Sequence, residues 1–251
     1  RVISLILSDV IGNPPEAIAS GPTAADPSTF SDACHIIEKY ELQKILPLAI
    51  TNYLQAGLAG KIPETLKPGD PVFAQVENII MGSNPDALNA ARNAASQAGF
   101  HTVILSSRMK GEARVAGKEF ALAVQRVLNR EEPITPPACL IMGGETTVTV
   151  TGSGKGGRSQ ELILAALVTM KDESRPFLIA AAGTDGSDGP TDAAGAWIDQ
   201  QTWQVAARLS LNPLEFLSRN DSYTILDELG RLIRTGPTGT NVADLVFALI
   251  P

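Results

Sequence analysis

The chain has 251 residues, 44% of them hydrophobic and 19% charged, with a formal net charge of −7. That composition closes at least one sizeable core and excludes a disordered chain, and at this length about three quarters of the unfolded surface can be buried without disulfides or a structural metal. The acidic balance excludes nucleic acid as the main partner. No apolar run approaches the roughly 20 residues of a membrane-spanning helix, and Cys34 and Cys139 form no CxxC pair, so a cytoplasmic protein is the expectation.

The chain opens on Val2-Ile3-Ser4-Leu5-Ile6-Leu7, an apolar run that reads as a buried strand, without an initial methionine. Domains rarely begin on an interior strand, so a preceding part is expected. Runs rich in β-branched residues and bounded by Gly, Pro, Asn or Ser predict strands near 2–10, 76–81, 101–106, 138–142, 146–151, 177–182 and 244–250. Helices are predicted over 30–39, 42–58, 85–98, 111–129, 158–170, 200–209 and 221–229. The clearest is 85–98: Ser83 or Asn84 is placed to accept from first-turn amides, Pro85 fits the first turn, and Gly99 ends it. Ala87, Leu88, Ala91, Ala94, Ala95 and Ala98 give this helix a small-residue stripe for packing on a sheet. Such alternation favours parallel or mostly parallel pairing with helices on the faces. Three prolines and a glycine in 61–71 mark the best domain boundary, and the prolines of 132–137 mark a helix-to-strand loop.

Four polar, glycine-rich segments lie where strands give way to helices or loops, the place where ligands collect in open α/β sheets. The first is Ser8-Asp9-Val10-Ile11-Gly12-Asn13, continuing to Ser20-Gly21-Pro22-Thr23. Asp9 directly follows a strand and can accept a hydroxyl proton or hold a cation; the competing reading is a cap for the next turn.

The second segment runs from Gly143-Gly144-Glu145-Thr146-Thr147 to Gly154-Lys155-Gly156-Gly157-Arg158-Ser159-Gln160-Glu161. Its Gly152-x-Gly154-x-x-Gly157 spacing formally meets the dinucleotide fingerprint, but the preceding segment alternates Thr and Val, and no acid closes a second strand about 20 positions on. The Walker pattern fails, because Gly156 follows Gly154-Lys155. What survives is an anion site of glycine amides at a helix start, with Lys155 and Arg158 adding charge. Arg158 is unfavourable in a first turn and asks for an anionic partner, either a ligand or Glu161. The third segment runs from Ala182-Gly183-Thr184-Asp185-Gly186-Ser187-Asp188-Gly189 through Pro190-Thr191-Asp192 to Gly195, and its three aspartates offer carboxylates for Mg²⁺ or belong to a solvated turn. The fourth, Thr235-Gly236-Pro237-Thr238-Gly239-Thr240-Asn241-Val242-Ala243-Asp244, lines a pocket with its hydroxyls and amides or caps and connects two elements. Arg108, Lys110 and Arg114 extend an anion site, unless Glu112 neutralises Arg108. His35 and His101 have no catalytic partner at useful spacing and read as structural.

These four segments, in this order along essentially the whole chain, resemble the class II glycerate 2-kinase family, which also carries hydroxypyruvate reductase labels and whose C-terminal module is called MOFRL. The resemblance implies an α/β protein of two three-layer α/β/α domains with mostly parallel or mixed sheets, the first incomplete. Residues 1–71 then form the C-terminal part of a Rossmann-like domain, and 72–251 a second α/β domain with the MOFRL module at about 138–250. It further implies transfer of the γ-phosphoryl group of ATP to the 2-hydroxyl of D-glycerate, with Mg²⁺ or another divalent cation, in a cleft between the domains. Asp9 and Arg158 occupy the family's catalytic positions, whereas its upstream lysine and nucleotide loop have no counterpart here, so the 251 residues alone are expected to be inactive. Asn13 stands where members commonly have Asp. Ser20, Gly144, Glu145, Gly154, Lys155, Gly156, Thr240 and Asn241 are then expected to bind substrate or phosphate, and Asp185 and Asp188 metal. The partners are a small acid and a nucleotide, with a homodimer allowed and neither nucleic acid nor membrane. The alternatives are an NAD(P)H-dependent hydroxypyruvate reductase and a non-catalytic binding fragment.

Overall fold

The structure, a computed structural model, describes residues 1–131 and 134–251. Two residues of the expected loop at 132–137, Glu132 and Pro133, lie outside the described residues. The chain divides into two compact units, one of Arg1–Ile6 with Asn13–Ile80 and one of Leu7–Gly12 with Met81–Pro251. The division thus falls after the proline-rich 61–71 stretch, and the Asp9 segment belongs to the second unit.

In the first unit, most of β1 (Val2–Leu7) and β2 (Val76–Gly82) pair as a two-stranded sheet. Helix α1 (Phe30–Lys39) starts at a capping box in which Thr29 and Asp32 exchange hydrogen bonds. The single helix expected over 42–58 is instead a 3-10 turn at Leu42–Lys44 followed by α2 (Leu48–Leu58). Pro47 separates them, because its ring cannot continue a helix running into it. Neither α1 nor α2 buries a residue fully.

The second unit is a three-layer sandwich. It contains α3 (Asn84–Gln97), β3 (His101–Met109), α4 (Ala113–Leu128), β4 (Ala138–Gly144), α5 (Arg158–Thr169), β5 (Leu178–Gly183) and β6 (Gly195–Asp199). Then come α6 (Thr202–Arg208), α7 (Pro213–Ser218), α8 (Ser222–Glu228), β7 (Leu232–Ile233) and β8 (Asp244–Ile250). The sheet order is β3-β4-β8-β5-β6-β7. Of the mostly parallel or mixed pairing expected, the sheet takes the mixed form: β3 and β4 pair parallel, and the other neighbour pairs are antiparallel. β3, β4 and β5 do run in one direction, as helix-linked strands should. The last strand, β8, inserts between β4 and β5 and runs against both, which makes the sheet mixed.

β8 shows why the sheet has two covered faces. Val246, Ala248 and Ile250 pack in one core with α4 and α5, while Leu245, Phe247 and Leu249 pack in another with Leu88, Ala91 and Ala95 of α3. The segment at 146–151 is not a strand; it forms one bridge, Glu112 to Thr147, and otherwise spends its amides on side chains, Thr149 on Glu112 and Thr151 on Asn220. Among the described residues, the strands β6 and β7 and the helix α7 were not anticipated. The last carried a legible start, since the Asn212 side chain accepts from the Leu214 amide and Pro213 sits in the first turn. Among the described residues no helix is long and apolar enough to cross a membrane.

Candidate active site in the second unit

The insertion of β8 brings three chain segments to one point. Asp244, its first residue, stands opposite Gly144 at the C-terminal end of β4 and opposite Gly183 at the end of β5. Its nearly buried carboxylate accepts from Arg158 Nε at 2.6 Å and Nη2 at 3.0 Å, the paired geometry of an arginine–carboxylate fork. Glu145, just past β4, accepts from Nη1. The anionic partner that Arg158 requires is therefore Asp244 with Glu145, and not Glu161, which pairs with Arg114 Nε at 2.9 Å and accepts from Asn220. Burial pulls the Arg158 pKa down, but the hydrogen bonds and charges of Asp244 and Glu145 outweigh it and hold the guanidinium more firmly protonated than usual.

The amides at the start of α5 do meet an anion, but the anion is the protein's own. Both carboxylate oxygens of Asp188 accept from them, Ser159 N at 3.0 Å and Gln160 N at 2.8 Å. That is the work of a helix cap rather than of a metal ligand. Burial pushes the Asp188 carboxyl up to about 6, against the pull of those amides. The glycines of 152–157 act as a packing seam: a Cβ on Gly154 would collide with Asp221, and one on Gly157 with Asp188. Because 146–151, which leads directly into the seam, is not a strand, its dinucleotide-like spacing has no Rossmann context. Lys155 donates its amide to Asp221 and sets its ammonium 4.1 Å from the centre of the Tyr223 ring.

Asp9 follows β1 and accepts from Asn241 Nδ2 at 3.3 Å. Asn241 belongs to a strap over 241–244 that is pinned from two sides. Asn84 Nδ2 donates to the carbonyls of Val242 and Asp244 at 2.9 and 3.0 Å, and Thr184 Oγ1 donates to Ala243 O and accepts from Val242 N, both at 2.8 Å. Asn84 is thus no cap for α3; Ser83 occupies the cap position, and its hydroxyl donates to Asp86.

A pocket of about 1080 Å³ opens within this unit, and Asp9 and Arg158 both line it. Of the other expected site residues it gathers Glu145, Gly154, Gly156, Asp185 and Asp188. Gly144, Lys155, Thr240 and Asn241 are not on its wall, and Ser20 lies in the first unit. Gly144 is held tightly against Met109 at a φ of +137°, which explains the glycine without a ligand. Five carboxylates line the pocket, Asp9, Glu145, Glu161, Asp185 and Asp188, against the single guanidinium of Arg158. Among the described residues the Asp185 carboxylate binds only within its own turn, accepting from Ser187 N and Oγ at 2.9 Å each. Among the described residues no three His, Cys, Asp or Glu side chains gather closely enough to hold a metal. Glu112 accepts from Thr149 instead of neutralising Arg108, and each histidine has its Nδ1 against a backbone carbonyl, His35 on Ser31 and His101 on Thr135. Asp244 closed the fourth segment but was given no role of its own; the available signal was an acid opening an otherwise wholly apolar strand.

The family model described as MOFRL matches residues 138–244, and one described as a domain of unknown function (DUF4147) matches residues 1–55. A glycerate 2-kinase of Pyrococcus horikoshii is 42% identical, over 99% of this chain and 56% of its own length. A glycerate kinase of Macaca fascicularis is 36% identical, over 97% of this chain and 71% of its own length. The crystal structure of a glycerate kinase from Thermotoga maritima superposes with a TM-score of 0.87 at 38% identity, covering 100% of this chain and 57% of that one. The chain spans somewhat over half the length of the Pyrococcus and Thermotoga proteins. With the ordered glycine-rich segments and the sheet built around β8, these likenesses show that the chain belongs to the glycerate kinase family.

Proposed function

We propose that the chain supplies part of an ATP-dependent D-glycerate 2-kinase, which transfers the γ-phosphoryl group to the 2-hydroxyl and yields 2-phosphoglycerate. What supports the reading is that the Asp9 carboxylate and the Arg158 guanidinium line one pocket. Phosphoryl transfer asks a protein chiefly for in-line positioning and for cancellation of charge on the transferring oxygens. Asp9, oriented by Asn241, accepts the proton of the 2-hydroxyl as its oxygen attacks phosphorus. Arg158, held by Asp244, keeps a permanent positive charge beside the phosphoryl oxygens. The glycine seam and the Asp188 cap keep the start of α5, and with it Arg158, in register.

The acidic lining bears on the cofactor. A polyanionic reactant among five carboxylates needs added positive charge, and Mg²⁺ prefers one or two carboxylates plus phosphate oxygens. Asp185 fits such a donor, since its carboxylate is engaged only within its own turn. Asp188 fits a positioning role through α5. When bound at Asp185, Mg²⁺ supplies neutralisation of phosphate charge. We further infer that the enzyme works in the cytoplasm.

The test is direct. The complete protein, given D-glycerate with Mg-ATP, should release ADP only when glycerate is present. Consumption of NADH or NADPH with hydroxypyruvate, in the absence of glycerate-dependent ADP release, would overturn the reading in favour of a reductase.

A further inference from the structure

The two acids on Arg158 are not equivalent. Asp244 is 3% exposed and grips Nε and Nη2 through two oxygens, so that edge of the guanidinium is committed to the interior. Glu145 meets only Nη1, through one oxygen, and its side chain is 43% exposed on the wall of the pocket. Arg158 itself is 34% exposed. A guanidinium has five N–H donors in a planar fork; the Asp244 edge uses two, and the donor that Glu145 occupies lies beside the pocket.

The geometry points to Glu145 as a displaceable stand-in for the reactant's oxyanion, which holds the Arg158 Nη1 donor until a phosphoryl or carboxylate group takes it over. The displaced carboxylate has water to return to, because it is half exposed, whereas Asp244 has none and stays. The exchange also sets selectivity. A monovalent anion making one hydrogen bond only replaces what Glu145 already provided. A phosphoryl group, with paired oxygens and higher charge, exceeds it. The inference deepens the kinase reading and rests on it for the identity of the anion, not for the exchange itself.

Inorganic phosphate is the probe, titrated calorimetrically into the complete protein at low ionic strength without metal. Since a half-exposed ion pair contributes up to about 1 kcal/mol, Glu145→Gln should bind phosphate about fivefold tighter than the wild type. Glu145→Ala should do the same, which guards against a glutamine that keeps the hydrogen bond, and Arg158→Ala should lose the binding. Glu112→Gln is the control for bulk charge: Glu112 accepts from Thr149 beside the pocket's Val148 and Val150 without touching Arg158, and its loss should change the affinity less than about twofold. Unchanged or weaker binding by both Glu145 variants, equal tightening by Glu112→Gln, or no phosphate binding by any form each overturns the inference. Should phosphate behave as expected while the wild type shows no glycerate-dependent ADP release, the kinase reading falls and the exchange stands.

Discussion

Asp244 holds Arg158 through two hydrogen bonds of 2.6 and 3.0 Å across 86 residues of sequence, joining the start of the last strand to the start of α5. The contact is both electrostatic and architectural. Asp244 sits in the ladder between β4 and β5, so the guanidinium inherits the rigidity of the central sheet. Asp244→Asn removes the charge and one good acceptor while leaving the volume unchanged. Breaking a buried ion pair from one side is costly because the remaining charge is left uncompensated. Arg158 is partly solvated, and Glu145 remains beside it, so the expected loss is about 2 kcal/mol, or roughly 4–8 °C in thermal midpoint. Urea and thermal denaturation of the variant against wild type measure it; an unchanged midpoint would mean that solvent already carries the charge.

Arg158→Ala bears on chemistry more than on folding. If the guanidinium grips the reactant's oxyanion and also meets charge that develops as the phosphoryl group transfers, kcat should fall by about 10³-fold or more, with a rise in KM for the reactant it grips. A rise in KM at constant kcat would assign it to ground-state binding. Arg158→Lys should not rescue, because a point charge cannot fork onto Asp244 and meet an oxyanion at once.

Local patterns carried most of the elements and part of the candidate site. Helix α3 was legible from Pro85, Gly99 and its alanine stripe, and Asp9 and Arg158 stood out because each has an unusual place, a carboxylate directly after a strand and a cation in a helix's first turn. What answers Arg158 was not legible, since neither Asp244 nor Glu145 lies within a helical turn of it, while Glu161, which does, is taken by Arg114. The glycine string misled for a related reason. Its spacing suggested free amides for a ligand, but only the folded contacts reveal Asp188 already seated on the α5 amides and Asp221 pressed against Gly154. The sheet's mixed direction was hidden likewise: alternation of helices and strands sets β3, β4 and β5 parallel, but nothing local says that β8 slots between the last two.

Asp188 gives the unit a pH signature. Burial raises its carboxyl from 3.8 to about 6 in the folded state, so the folded protein holds that proton more tightly than the unfolded chain does. The stabilisation is fully present below the unfolded value and is lost as pH rises through about 6. The shift corresponds to up to about 3 kcal/mol. Asp188→Asn cannot titrate, so the stability difference between wild type and variant should move by that amount in the variant's favour from pH 4 to pH 7. Urea midpoints taken across this range test it, and parallel curves for the two proteins would show that Asp188 is not the group.

The remaining prediction separates acceptor activation from acceptor binding. Asp9 accepts one long hydrogen bond from Asn241 at 3.3 Å, which orients the carboxylate and leaves lone pairs for a hydroxyl. Asp9→Asn keeps the shape and a hydrogen-bonding group but cannot take a proton. If Asp9 both orients and deprotonates the 2-hydroxyl, turnover should drop by about 10²- to 10⁴-fold, the usual range for a general base, while calorimetric affinity for glycerate stays within a few-fold. Asn241→Ala should give a smaller loss of turnover in the same direction, because it frees the carboxylate to rotate without removing it, and Asp9→Asn with Asn241→Ala should be no worse than Asp9→Asn alone. Additive losses in that double variant would mean that Asn241 acts on the reactant directly and not through Asp9.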